Sequence, residues 1–438
     1  MARLQTKKSN MCAASSPDKS KNIWFFNHYA VTPDQSGGSR HYSIGKILAS
    51  RGYRVTIFAS GFNYQKREES KCTGKELFKF EMIDNIRFAW IKTVKYSKNN
   101  WRRIMNMLSY TRRCFKVYKA LLEQDETEKP GIIVGSSVHP FAVWAGYKIA
   151  KRLNARFIME VRDLWPMTLV EFRKELKYHP IVFFFGMMDK FLAKRALRII
   201  SVLPGAARYY QQYDIPENHV AWIPNGVDTR LFPSHAADVT VPGSENPFRI
   251  LYTGIFGMEA NLQTLLHAAK AIQDKGLNVS FILTGSGEKL AELMELKEQL
   301  GLTNVTFNKP VKKEEIPSLL ASAHALWIGS RSVKNLYKYG FSFNKLFEYL
   351  AAGKPILFSI EAEYNPVEES GAGITLPPDD PTALTGAIVK LLEMPSHERL
   401  GMGQKGIEYA KKFYDFESIT DKLEILLDSI NNKEVLKK

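Results

Sequence analysis

Cysteine is scarce and scattered. Cys12, Cys72 and Cys114 are the three in 438 residues, with no C-x-x-C pair and no metal-ligand spacing. That excludes a disulfide framework and an ordinary zinc site, and reads as a reduced, cytoplasmic protein. Long apolar runs are missing as well. The longest, Ile181–Met188, is eight residues before Asp189 and Lys190 interrupt it, far short of the roughly 20 needed to span a bilayer. Residues 1–21 have no apolar signal core and are expected to form a disordered, mildly basic tail. No D-x-D pair occurs. One stretch lacks acid altogether: residues 86–122 hold ten lysines and arginines and no carboxylate.

What is present is globular, with 45% hydrophobic and 24% charged residues. The length favours two or three domains over one core. The net charge of +16 is uneven: residues 1–240 carry 39 basic against 20 acidic side chains, and residues 241–438 carry 22 against 25. In the acid-free stretch Trp90, Tyr96, Trp101, Met105, Leu108, Tyr110 and Phe115 lie among the cations. That mixture suits an anionic membrane surface, where cations are attracted and aromatics settle at the headgroups. Nucleic acid is the less favoured partner, and a solvated helix face over an ordinary core stripe accounts for the same residues without any partner.

Two series of strand, loop, helix and strand follow one another, the rhythm of a parallel sheet. The first has strands at Ile23–Asn27, Arg54–Ala59, Ile132–Gly135, Arg156–Val161 and Arg198–Val202, with helices at Arg40–Ser50 and Ala142–Leu153. The second has strands at Phe248–Thr253, Val279–Thr284, Val305–Phe307, Ala325–Ile328 and Ile356–Ser359. Helices separate them at Leu262–Lys275, Leu290–Leu300, Ile316–Ser322 and Lys345–Ala352. The expected organisation is a first lobe over 22–232, a Pro/Gly/Ser-rich linker over 233–247, a second lobe over 248–412, and a helix over 413–438 packing back across both. Two doubly wound α/β lobes place a ligand in the cleft outside the carboxyl ends of their strands.

Several segments carry chemistry. Gly37-Gly38 lets backbone approach an anion at a helix start, although the loop is not the G-x-G-x-x-G of a dinucleotide dehydrogenase. At Glu160–Pro166 a strand ends on Arg162 and Asp163, which can clamp a phosphate or sugar hydroxyl or equally form a structural pair. His139 ends another strand. Gly285 and Ser286 open a second glycine loop. Asn344, Lys345 and Glu348 begin a helix, where the free N–H groups and Lys345 counter a diphosphate and Glu348 reaches a ribose diol.

In this order the segments resemble the retaining glycosyltransferases of family 4, which have the GT-B fold. The resemblance runs from about Asn22 to Asn431 and is carried by Ile223–Asp228 with Phe232, Thr284–Glu288, Asn304–Phe307, and Asn344–Glu348 followed by Ala351–Pro355. Glu160–Pro166 and Leu336–Glu348 are most similar to the L-fucosamine transferases of O-antigen and capsule assembly. The family implies that Glu348, second glutamate of an E-x7-E motif, binds the ribose and that backbone near Phe307 takes the base. The first glutamate falls on Gly340, and the family's basic pair falls on Ile255 and Ala260. These departures shift the phosphate role to Lys345, with Arg331 as a second cation. Arg162 stands where the family has a histidine, and Arg162, Asp163 and His139 are expected to face sugar and acceptor.

The resemblance implies metal-independent, retaining transfer from a nucleotide-sugar co-substrate, UDP-linked and N-acetylated, with no other cofactor. The acceptor implied is a glycan or lipid-linked diphosphate at the cytoplasmic membrane face. Two alternatives stay open: a nucleotide-sugar 2-epimerase, and a non-catalytic basic scaffold that binds nucleic acid.

Overall fold

The computed structural model describes residues 19–435 except 36, 99, 173, 238–246 and 333–336. Most of the expected tail and most of the expected linker therefore lie outside the described residues. Lys19–Lys21, counted with the tail, instead form a 3-10 turn, and the Lys19 carbonyl lies against Gly131.

The first lobe runs β1 (Asn22–Phe26), α1 (Arg40–Ser50), β2 (Arg54–Ser60), the short pair β3 (Phe62–Asn63) and β4 (Glu68–Glu69), β5 (Phe78–Ile83) and β6 (Ile86–Ile91). It continues with α2 (Trp101–Gln124), β7 (Ile132–Ser136), α3 (Pro140–Leu153), β8 (Arg156–Val161), α4 (Met167–Phe172), α5 (Pro180–Ala193), β9 (Arg198–Ser201), α6 (Ala206–Gln211) and β10 (Val220–Trp222). The second runs β11 (Phe248–Ile255), α7 (Leu262–Asp274), β12 (Val279–Ser286), α8 (Leu290–Gln299), β13 (Val305–Asn308), α9 (Ile316–Ala321), β14 (Ala325–Gly329), α10 (Asn344–Ala351) and β15 (Ile356–Ser359). Then come α11 (Pro366–Ser370), β16 (Gly373–Thr375), α12 (Pro381–Glu393), α13 (Ser396–Phe413) and α14 (Phe416–Val435).

The first sheet has eight strands in the order β10-β9-β8-β7-β1-β2-β6-β5, and the second has six in the order β13-β12-β11-β14-β15-β16. Within these two sheets all pairs are parallel except β5 with β6, and β3 and β4 form a separate antiparallel pair. Central strands read as unbroken apolar runs because helices cover both faces: every residue of β1 and β7 is buried. β5 is the edge and shows partial exposure instead, with Met82 60% exposed. Asp84 and Asn85, both at positive φ (48° and 63°), make the tight turn that joins it to β6. The hairpin was not anticipated as an element, and α2 was anticipated only as the helix face over a core stripe that the acid-free stretch allowed. The acid-free stretch is a buried strand followed by a 24-residue helix.

The lobes are tied at the chain crossings. Val227 N–H donates to Tyr414 O at 2.9 Å, Phe416 N–H donates to Val227 O at 3.2 Å, and the chain then re-enters the first lobe. There Ile419, Leu423, Leu427 and Ile430 of α14 join the core formed by Ile23, Phe25, Leu48 and Ile57. α13 packs against α10 of the second lobe.

Candidate active site

A cleft of about 870 Å³ opens between the lobes. One wall is the β1–α1 loop with Gly37 and Gly38, the end of β8 with Arg162, and the crossing segment Asn225–Asp228. The other is the stretch after β13 with Val311 and Lys313, the start of α9, and Asn344 and Glu348 of α10. Gly37 sits at φ +137°, a backbone conformation that strains any other residue, and a Cβ there would meet Val31 at 3.1 Å. A Cβ on Gly38 would stand 3.6 Å from Arg162 Nη2, in ordinary contact, so this loop lies directly beside the guanidinium.

Behind that wall lies a buried polar network. Arg40, the first residue of α1, donates to Glu160 Oε1 at 2.9 Å and to the Ile223 carbonyl at 2.9 Å, and it also donates to Pro224 O. His41 Nε2 is 2.8 Å from Glu160 Oε2, and Asn27 Nδ2 is 2.7 Å from His41 Nδ1. Burial opposes ionisation of Glu160, but His41, Arg40 and Arg162 outweigh it and hold the carboxyl well below the usual range. The network fixes the glycine loop, the β8 end and the lobe crossing relative to one another.

Across the cleft, Lys313 Nζ donates to Ser39 Oγ at 2.8 Å and spans the lobes. Burial raises the Glu348 carboxyl above its ordinary value, while the charges of Lys313 and Lys345 pull it back. Lys345 lies just beneath the cleft wall. Its Nζ donates to Tyr252 Oη at 2.8 Å and lies 4.3 Å from the Tyr252 ring centroid, beside Gly254. Burial lowers its ammonium to about 8, opposed by Glu348 and Glu259. Asn225 is buried, and its Oδ1 has no hydrogen-bond partner among the described residues.

Of the expected site residues, Gly37, Gly38, Arg162, Asn344 and Glu348 line the cleft, with Lys345 just beneath it. The others do not reach it. His139 is 1% exposed and caps α3: its Nδ1 accepts from Ala142 N–H at 3.2 Å, and its Nε2 lies 2.7 Å from His28 Nδ1. Burial and then Arg103 hold its imidazole down to about 3. Asp163 is not among the residues that line the cleft; water reaches its side chain, but the surrounding protein still desolvates it and raises its carboxyl, with Arg162 beside it pulling the other way. Gly285 and Ser286 belong to β12 rather than to a loop, and Gly285 is explained by strand packing, since a Cβ there would lie 1.9 Å from Gly254 O. Phe307 packs edge-on against Phe256, ring centroids 5.9 Å apart, in the edge strand β13. Arg331 is held by Gln263 Oε1 at 2.7 Å.

The departures also have places. Ile255 is 67% exposed and Ala260 is buried. Gly340 has φ +87°, and a Cβ on it would fall 2.5 Å from Pro204 Cγ. Its loop docks on the first lobe, where Gly205 N–H donates to Tyr339 O at 2.9 Å. A glutamate therefore has no room at position 340. Sequence reasoning missed Lys313, which a basic pair in a post-strand loop could have signalled, and the Arg40–Glu160–His41 network, whose partners lie far apart in sequence.

Comparison with known proteins fits this architecture. Residues 37–231 match the model described as Glycosyltransferase Family 4, and residues 247–394 match Glycosyl transferases group 1. The chain carries glycosyltransferase family 4 and group 1 domains. A curated relative, the putative colanic acid biosynthesis glycosyl transferase WcaI of Escherichia coli, is 26% identical over 217 residues. That match spans 47% of this chain and half the length of the relative. Among solved structures, sucrose-phosphate synthase from Thermosynechococcus elongatus aligns over 94% of this chain and 99% of its own, with TM-score 0.71 and 18% identity. Anabaena HepE, solved with UDP and glucose, aligns over 93% and 99%, with TM-score 0.63 and 15% identity. The fold is GT-B: two Rossmann-like lobes around the cleft. The comparisons do not reach the narrower L-fucosamine transferase likeness.

Proposed function

We propose that this chain transfers a sugar, UDP-linked and N-acetylated, from its nucleotide donor to a glycan or lipid-linked acceptor in cell-surface polysaccharide assembly, with retention at the anomeric carbon. One observation carries the reading: the interlobe cleft gathers Arg162, Lys313, Glu348 and the start of α10 around one space, with Lys345 beneath. The UDP in the HepE structure and the colanic acid assignment of the E. coli relative lend support.

In this reading Glu348 accepts from the ribose hydroxyls, and the diphosphate lies against Lys313, Lys345 and the free N–H groups of α10. Lys313 takes the part expected of Arg331. The bond from the anomeric carbon to the diphosphate oxygen breaks as the acceptor oxygen bonds on the same face. The acceptor proton passes to the departing diphosphate. No side chain need act as nucleophile. The cations counter the charge growing on the leaving oxygen, and the fixed lobes hold the substrates in register. Among the described residues no three His, Cys, Asp or Glu side chains gather as metal ligands, and the reaction is proposed to proceed without a metal.

The test is product analysis with UDP-, GDP- and ADP-sugars, with and without a lipid-linked diphosphate sugar. The expected result is acceptor-dependent release of UDP, an unchanged anomeric configuration, and full activity in EDTA. Release of free sugar without acceptor would instead mean an epimerase, and loss of activity in EDTA would end the metal-free proposal.

A further inference from the structure

Residues 337–343 lead directly into α10, whose Glu348 and Lys345 are proposed to meet the ribose and the diphosphate. The two flanks of this stretch are anchored in the second lobe. Tyr337 and Phe341 are buried in its core, and Tyr337 Oη accepts from Ser330 Oγ at 3.2 Å. Phe341 stacks on Phe343 with ring centroids 5.1 Å apart. The turn between the flanks is anchored elsewhere. Tyr339 packs against the core of the first lobe, its ring 5.5 Å from that of Tyr209 and nearly perpendicular to it, at 82°.

Further contacts hold this turn from the first-lobe side. Gly205 N–H donates to Tyr339 O at 2.9 Å. A Cβ on Gly205 would fall 2.8 Å from Tyr339 Cα, so the two backbones come this close only because position 205 has no side chain. Arg208 Nη2 donates to Lys338 O at 3.2 Å. Asn225, at the lobe crossing, donates from its backbone N–H to Ser342 Oγ and from Nδ2 to Ser342 O, both at 3.4 Å. Tyr209 is itself fixed, for it is buried and its hydroxyl donates to Trp165 O at 3.0 Å, three residues beyond Arg162. A chain of contacts therefore runs from the end of β8 through Tyr209 and Tyr339 to the start of α10.

That start depends on its surroundings. The residue at the cap position of α10 is Phe343, which supplies no side-chain hydrogen bond. The first N–H groups of the helix are thus left for a ligand. Without a capping side chain the first turn is held less firmly, and its position falls to the loop that precedes it.

We infer that Tyr339 is a positioning residue of the donor site: seated against Tyr209 of the opposite lobe, it sets the first turn of α10, and with it Lys345 and Glu348, from outside the cleft lining. Gly205 of the first lobe then acts on nucleotide binding without touching the nucleotide. The donor site is complete only when the turn is docked on the first lobe.

The experiment is amide hydrogen exchange on the full chain without nucleotide, followed by calorimetric titration with UDP. It compares the parent with Tyr339→Ala, Tyr339→Phe and Gly205→Ala, the last of which removes no side chain and pushes the turn off the first lobe. In both alanine variants the amides of residues 346–348 should exchange faster by about tenfold, while those of β1 in the first-lobe core exchange as in the parent. UDP affinity should fall by about tenfold in the same two variants. Tyr339→Phe keeps the ring and should match the parent in both measurements. Unchanged exchange at residues 346–348 in the alanine variants would overturn the inference, since Phe341 and Phe343 would then suffice to place the helix. Equal quickening in β1, the mark of a general loosening, would also overturn it, as would full UDP affinity alongside the faster exchange. A Tyr339→Phe variant as impaired as Tyr339→Ala would do the same. If Tyr339→Ala does not fold, Gly205→Ala decides alone. The affinity arm rests on the reading of the cleft as a UDP site, and the exchange arm does not. A parent that binds no UDP therefore counts against the transferase reading, while the exchange data still judge the place of Tyr339.

Discussion

Replacing Asp189 with asparagine isolates one buried ionisation, and its effect can be worked out in sign and size. Asp189 is 4% exposed, and its Oδ1 accepts from the Tyr210 hydroxyl at 3.1 Å. Oδ2 is buried without a hydrogen-bond partner among the described residues. Burial raises the carboxyl to about 8, with the Tyr210 hydrogen bond pulling only part of the way back. Above the unfolded value of about 3.9 the unfolded chain gives up a proton that the folded chain keeps. Stability from this group is therefore full at low pH and drains away until the folded carboxyl ionises near pH 8. At ~1.4 kcal/mol per pH unit, the upper limit between pH 5 and pH 8 is ~4 kcal/mol. Asparagine has the same shape, keeps an acceptor for Tyr210 and does not titrate. Parent and variant should have similar stability at pH 5 and diverge with rising pH, the variant ahead by ~2–4 kcal/mol at pH 8. Urea denaturation of both proteins at pH 5, 6.5 and 8 gives the difference curve, in which every other titrating group cancels. A flat difference, or a variant less stable at pH 8, would refute the reasoning.

Two other outcomes follow from the site. Gly340→Glu, which would supply the first glutamate of the E-x7-E motif, should cost ~2–5 kcal/mol from left-handed strain and contact with Pro204. It should bring no gain in UDP affinity, and thermal denaturation with a UDP titration checks both halves. Lys345, lowered to about 8 by burial, must be charged to meet a diphosphate. Donor affinity should therefore fall as pH rises through about 8, and Lys345→Met should remove that alkaline limb in a calorimetric titration.

How far the sequence could be read depended on whether a residue's neighbours were near it in the chain. β8, β15 and α1 have the expected limits, because a buried apolar run bounded by Gly, Pro or charge is a local signal. The β5–β6 hairpin was equally local, with Asp84-Asn85 between two apolar runs, but its cations drew the reading toward charge. α5 was noticed only as a run too short to span a membrane, since periodicity cannot say which face of an apolar helix stays bare. In the cleft, Glu348 was legible from its place one turn into a helix. His139 was not: its cap on Ala142 N–H is local, but its burial against His28 joins residues 111 apart in sequence. Lys313 was hidden for the same reason: its partner Ser39 is 274 residues away. The place of Gly340 is set by Pro204 on the opposite lobe, so its identity looked like a loss when it is a contact.

The central claim is that the cleft holds a nucleoside-diphosphate sugar with Glu348 at the ribose. It is tested most directly by thermal denaturation with UDP, GDP, ADP and their sugars, for the parent and for Glu348→Ala. A ligand bound to the folded chain stabilises it by RT ln(1 + [L]/Kd). The account predicts a saturable rise in melting temperature with UDP and UDP-sugars that disappears in Glu348→Ala. No shift with any nucleotide, or an equal shift in the variant, would contradict it.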